Sequence, residues 1–149
     1  MTCHTFSSEL FLPHPPDLVF PFFSDARNLG TITPPWLRFE VLTPGDLEMK
    51  TGVIIDYRLR VHGLPLRWQS KITRWEPPYS FTDEQIRGPY RKWVHTHSFQ
   101  GRDGGTLCGD HVEYAVPGGW LINFLLVRRD IEKIFHYRQE ALNRIFPAG

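Results

Sequence analysis

Trp93-x-His95-x-His97-x-Phe99 sets two imidazoles and two aromatic rings on alternate positions of one run. Side chains alternate faces along a strand, so these four share one side while Lys92, Val94, Thr96 and Ser98 take the other. An imidazole titrates near neutral pH, and a carboxylate hydrogen-bonded to it makes a minimal general base. Asp83 and Asp110 are the two acids in a position to play that part. Two imidazoles two residues apart on a strand also stand about 6–7 Å apart at Cα, a separation that divalent metals use, with Asp83 or Asp110 as a third ligand. No nucleophile accompanies them, since Ser70 and Ser98 lie in no motif and Cys108 has no activating neighbour. Three roles follow for the set: bracing the sheet through His–Asp bonds, orienting the polar end of a ligand, or moving a proton. A metal is weighed and not adopted, because the same pair can face a ligand without one.

The element that must position them is a β-hairpin over Tyr79–Phe99, with its turn at Gly88-Pro89. A turn built on residues 88–90 pairs 87 with 91 and keeps odd positions beside odd ones. Tyr79, Phe81, Asp83 and Gln85 then join Trp93, His95, His97 and Phe99 on one face. That face is too polar for an ordinary core and too apolar for a wet surface, as a cavity wall would be.

Around the hairpin the chain reads as short elements. Residues 4–12 form a first strand with Phe6, Leu10 and Leu12 on one side, stopped by Pro13-His14-Pro15-Pro16. A short helix carries Val19, Phe20 and Phe23, and Asp25 caps a second one that ends at Gly30. A strand is predicted over Trp36–Leu42. In Val53–Val61, Ile55, Tyr57 and Leu59 face one way, against Asp56, Arg58 and Arg60. Gly63-Leu64-Pro65 turns the chain into Leu66–Trp75, where Trp68, Ser70 and Ile72 share a face. After Asp103-Gly104-Gly105, the strand Thr106–Ala115 sets Asp110, Val112 and Tyr114 on one side. Consecutive strands joined by short turns make an antiparallel meander.

From Gly119 to Phe146 the period changes to three- and four-residue steps, through Leu121, Phe124, Ile131, Phe135 and Leu142. This predicts one amphipathic helix roughly 40 Å long at 1.5 Å per residue. Arg128, Arg129, Glu132, Lys133, Arg138 and Glu140 fall on its polar remainder. Trp120–Val127 reads as the buried first turns of that helix, with membrane contact the lesser alternative.

The 149 residues, with 17 basic and 16 acidic, suit one domain and imply no polyanion partner, hence no nucleic acid. The Arg58, Arg60, Arg67 and Lys71 set reads as a solvated sheet face. Two cysteines without a CxxC, and no signal-like start, predict a reducing cytoplasmic location. The thirteen prolines and twelve glycines favour a β-rich fold over a helical bundle.

A strand, two short helices, six more strands and a long C-terminal helix resemble the START-like helix-grip order of the SRPBCC superfamily. That superfamily includes birch-pollen-allergen-like, polyketide cyclase/dehydrase-like and coenzyme Q-binding START-like proteins. The likeness is carried by Pro15-Pro16 through Phe22-Phe23-Ser24-Asp25-Ala26, by Ile32-Thr33-Pro34-Pro35, and by Asp83-Glu84-Gln85 with Gly88-Pro89-Tyr90. The His-x-His run and Asp110-x-x-x-Tyr114 complete it, and the detail looks like one bacterial ligand-binding branch. Members of that branch also resemble a domain found fused to nucleotide-sugar-epimerase-like proteins, and no such partner domain is read in this chain.

The resemblance implies an α+β fold: about seven curved antiparallel strands, with the long helix packed across their concave face. It implies a cavity walled by Ile55, Tyr57, Leu59, Trp68 and Ile72, then by Asp83, Gln85, Trp93, His95, His97, Asp110 and Tyr114. The expected function is binding, transport or sequestration of a small, largely apolar or amphipathic molecule with a polar group, with no cofactor. The alternatives are a cyclase/dehydrase-like or hydrolytic enzyme using a His/Asp pair, and a regulatory domain with a vestigial cavity.

Overall fold

Phe6, Leu10 and Leu12 alternate with exposed residues, and that two-residue period makes β1 (His4–Leu12). The computed structural model describes residues 2–45 and 47–148. Pro16 opens α1 (Pro16–Phe23) at a position where a missing N–H costs nothing, and the helix buries Val19, Phe20 and Phe23. The Asp25 carboxylate accepts from the Arg27 N–H at 3.0 Å and starts a 3₁₀ segment, Ala26–Ile32, which runs past Gly30. The strand predicted at Trp36–Leu42 is mostly absent. Pro34 and Pro35 instead start a 3₁₀ turn, Pro35–Leu37, and Arg38 turns left-handed at φ 46°. Only β2 (Glu40–Val41) remains extended.

The long strands follow: β3 (Ile54–Val61), β4 (Leu64–Glu76), β5 (Ser80–Arg87), β6 (Lys92–Arg102) and β7 (Gly105–Ala115). The β3–β4 turn is tighter than predicted. His62 and Gly63 take φ of 50° and 80°, a two-residue hairpin loop that already pairs Val61 with Leu64. All neighbours are antiparallel, in the order β1-β7-β6-β5-β4-β3-β2. The β5–β6 register sets Asp83 beside His95 and Phe81 beside His97, and β6–β7 sets His97 beside Asp110. These pairings place the His–Asp chemistry on one face of three adjacent strands.

The C-terminal helix is built as α2 (Gly119–Ile122), a π-helical turn over Asn123–Val127, and α3 (Arg128–Ile145). Gly118 precedes it at φ 88°, where a Cβ would stand 2.3 Å from Ile122. Helical spacing carries Ile131, Phe135, Arg138 and Leu142 to the sheet side of α3. Two expectations fail on this helix. Arg138, assigned to the polar remainder, is buried. The Trp120–Val127 segment, assigned to buried first turns, exposes Trp120, Leu121, Phe124 and Leu125 to 67, 47, 69 and 55%. No helix among the described residues is long and apolar enough to cross a membrane.

The core packs against one end of the sheet. Phe20 and Phe23 of α1 meet Phe99 at ring distances of 5.2 and 4.9 Å, with Phe81, Leu12 and Leu142 around them. Each buried Phe contributes about 1.5–3 kcal/mol relative to exposure. A second cluster, Val112, Tyr114, Val116, Ile131 and Phe135, fastens α3 to β7. Between these packed regions and β3 the helix and sheet stay apart.

Candidate functional site: a cavity with a charged floor

Three rings and three charged side chains meet where the packed end stops. Phe81 stacks on His97 at 4.0 Å between centroids, and His97 stacks on His95 at 3.7 Å. His97 Nε2 lies 2.7 Å from Asp83 Oδ2, and His95 Nε2 lies 2.7 Å from Asp110 Oδ1. Arg138 enters from α3, with one terminal nitrogen 3.4 Å from His97 Nδ1 and 3.4 Å from Asp110 Oδ1. Its Nε is buried without a partner among the described residues. Both imidazoles are therefore paired to carboxylates, and a guanidinium joins the two pairs.

The protonation states follow from that wiring. Burial and the neighbouring His95 push the His97 imidazole down to about 4, so it is neutral at pH 7. A neutral His97 donates from Nε2 to Asp83 and accepts from Arg138 at Nδ1. Burial would raise Asp110, but Arg138 and the His95 hydrogen bond outweigh it and hold its carboxyl below the ordinary range. Asp83 is likewise held low against burial by its hydrogen bond from His97. The floor thus carries two carboxylates against one fixed cation.

Above it opens a cavity of about 400 Å³, enough for a drug-sized ligand. Tyr57, Leu59, Trp68, Asp83, Trp93, His95 and His97 line it. Trp68, Trp93 and Tyr90 form one aromatic wall, with Trp68 edge-on to Trp93 at 5.3 Å. From the helix, Ile122, Leu126, Asp130 and Ile134 line the other side at four-residue steps. At the rim His62 Nε2 lies 2.9 Å from Asp130 Oδ2, joining the β3–β4 turn to the helix.

The remaining residues on the concave face stand off the wall. Ile55 is covered by the 3₁₀ segment through Ala26, and Ile72 is only 2% exposed. Gln85 brackets the β5–β6 loop: Nε2 donates to the Tyr90 carbonyl at 2.7 Å and Oε1 accepts from the Tyr90 N–H at 3.1 Å. Asp110 sits behind the imidazoles that it bonds. The Tyr114 hydroxyl donates to Asn123 Oδ1 at 2.7 Å and ties β7 to the π-helical turn. A shared face selects direction, whereas lining also requires that nothing packs over the side chain. Arg138 is the functional candidate that the sequence reading passed over. Its place in the 131, 135, 138, 142 spacing was the available signal.

Asp83, His95 and His97 offer ligand atoms within 4.8 Å of one another, the one group among the described residues with metal-site proximity. Each Nε2 is already engaged by a carboxylate, and the Arg138 cation stands 3.4 Å from His97. A divalent ion would have to break those bonds beside a guanidinium, so the donor set fits a self-satisfied network better than a metal.

The fold has relatives among solved structures. Ara h 8.0201 is similar with a TM-score of 0.73 at 17% identity, over 97% of this chain and 98% of that one. The Zhui aromatase/cyclase from Streptomyces sp. R1128 is similar with a TM-score of 0.70 at 15% identity, over 99% of both chains. A nucleoside-diphosphate sugar epimerase from Corynebacterium glutamicum matches with a TM-score of 0.67 at 22% identity, over 92% of this chain but 28% of that one. At these identities the likeness is one of fold. No curated protein matches the sequence. The model of the family described as polyketide cyclase/dehydrase and lipid transport matches residues 12–142. With that match spanning most of its helix-grip architecture, the chain belongs to the polyketide cyclase/dehydrase and lipid transport family, within the START-like SRPBCC superfamily.

Proposed function

We propose that this protein binds a small, largely apolar molecule in the cavity and reads one polar group of it at the floor. The observation that carries the reading is a void of about 400 Å³ with aromatic and aliphatic walls that converges on Asp83, His95, His97 and Arg138. The charge balance favours a ligand that donates a hydrogen bond. Asp83 presents a carboxylate to the cavity, and His95 Nδ1 has no partner among the described residues. A hydroxyl meets acceptors there, whereas a carboxylate would face two like charges offset by a single guanidinium.

Native mass spectrometry of the purified protein, followed by organic extraction, tests for a retained small molecule. Titration with 2-naphthol and 2-naphthoate tests the polar end, and the alcohol should bind at least tenfold more tightly. Equal binding, or tighter binding of the acid, would overturn the donor preference. Failure of both probes and of every extract to show a ligand would overturn the binding reading.

A second reading is proton-transfer catalysis, favoured by the Asp110–His95 pair opening on the cavity. His97 is ill suited to it, with both nitrogens engaged and burial making its imidazole a weak base. His95 would be the base, so turnover of a polyketide-like substrate should vanish in His95→Ala and survive in His97→Gln.

A further inference from the structure

Apart from Asn123, the first turns of the C-terminal helix carry apolar side chains on every face, which no packed helix end requires. Ile122 and Leu126 face the cavity, and Asn123 faces Tyr114. The rest of the circumference, Trp120, Leu121, Phe124 and Leu125, is exposed and covered by nothing among the described residues. Such a contiguous patch marks an interaction surface. Leu64, 67% exposed at the tip of the β3–β4 turn, extends it across the cavity mouth, since His62 of that turn is bonded to Asp130 of the helix. A π-helical turn runs through the patch, and such turns gather at functional sites.

The charged side chains around it that enter no ion pair among the described residues are basic. Arg128 is paired with Glu132, and Asp130 is hydrogen-bonded to His62 at the cavity rim rather than turned to the patch. Arg129 and Lys133 continue the outward stripe of Leu121 and Leu125 and enter no ion pair among the described residues. At the same end of the sheet, Arg87 and Arg91 flank the β5–β6 loop, also exposed and unpaired among the described residues, and Pro89 and Tyr90 of that loop line the same cavity. An apolar patch rimmed by unpaired cations complements an anionic lipid surface. A second copy of the chain would bring the same cations against one another across a twofold contact.

We propose that this end of the molecule docks on an anionic bilayer surface, with Trp120, Leu121, Phe124 and Leu125 entering the headgroup boundary and Arg129 and Lys133 meeting lipid phosphates. The helix lies on the surface and does not cross it. In that pose the cavity mouth, between Leu126 and the β3–β4 turn, faces the lipid. Docking is independent of what fills the cavity.

Flotation of the protein with phosphatidylcholine/phosphatidylglycerol vesicles and with pure phosphatidylcholine vesicles tests this, beside size-exclusion chromatography. The wild type should co-float with the anionic vesicles and stay monomeric without them. Arg129→Gln with Lys133→Gln should lower partitioning onto anionic vesicles about twenty-fivefold, at roughly fivefold per basic residue. Trp120→Ser with Phe124→Ser should lower it more than tenfold while leaving the thermal unfolding transition and naphthol binding unchanged, because neither residue lines the cavity. Absence of the folded protein from the floated anionic fraction overturns the proposal. So does a dimer that the Trp120→Ser, Phe124→Ser pair dissolves, which would assign the face to a second copy.

Discussion

Between pH 6.5 and 4 the buried imidazole of His97 should cost the protein stability. Burial and the adjacent His95 hold its imidazole at about 4, against an ordinary value of 6.5. In that interval the unfolded chain takes up a proton that the folded one refuses. Stability rises with pH wherever the unfolded state binds more protons, so the penalty is absent above 6.5, grows as pH falls and is complete near 4. The gap between the two values, at about 1.4 kcal/mol per pH unit, corresponds to about 3 kcal/mol. Asp83 and Asp110 act in a lower window. Both are held below the ordinary carboxylate value of 3.8, so their contribution is present above that value and is lost only in stronger acid. Urea unfolding followed by tryptophan fluorescence, repeated from pH 7.5 to 4.5, reads the slope directly. His97→Gln should flatten it by up to about 1.4 kcal/mol per pH unit, whatever its effect on stability at pH 7. A variant whose slope equals that of the wild type would refute the assignment of a neutral, proton-refusing His97.

Arg138→Met should cost about 3–5 kcal/mol in urea unfolding at pH 7, because it leaves Asp110 buried without its cation. Adding Asp110→Asn should recover part of that loss, and strictly additive costs would mean that the two groups do not couple. Cys3 is exposed, whereas burial pushes the Cys108 thiol up to about 12, so a disulfide-exchange reagent should titrate one thiol quickly in the native protein and the second only on unfolding. Two fast thiols would contradict that. Gly88→Ala would set a Cβ 2.4 Å from Gln85 Oε1 and should destabilise by about 1–2 kcal/mol. The same change in a Gln85→Ala background should cost measurably less, as thermal denaturation of the four proteins would show.

The His–Asp floor was legible because a strand has a period of two and the hairpin register is odd beside odd. Asp83 lies opposite His95 and Phe81 opposite His97, as a turn centred on residue 89 requires. The same rule could not separate Asp83, which reaches the cavity, from Asp110, which stands behind the imidazoles. Gln85 shared the face too, but the β5–β6 loop opened far enough for its amide to bracket Tyr90 instead. The strand predicted over Trp36–Leu42 failed at its start, where Pro34 and Pro35 open a 3₁₀ turn instead of only ending the preceding segment.

What the sequence determined by itself was direction: which side chains of each strand turn toward the helix, the order of the elements, and the antiparallel register. Those properties are local, set by backbone geometry over a few residues. Three things were decided only when the chain closed on itself: the void of about 400 Å³, the burial of Arg138 against Asp110 and His97, and the exposure of Trp120, Leu121, Phe124 and Leu125. Each depends on how far the helix stands from the sheet and on what covers its ends, a distance fixed by contacts between residues remote in the chain. Periodicity tells a side chain which way to point, and only the partner across the gap decides whether it meets packing, space or solvent.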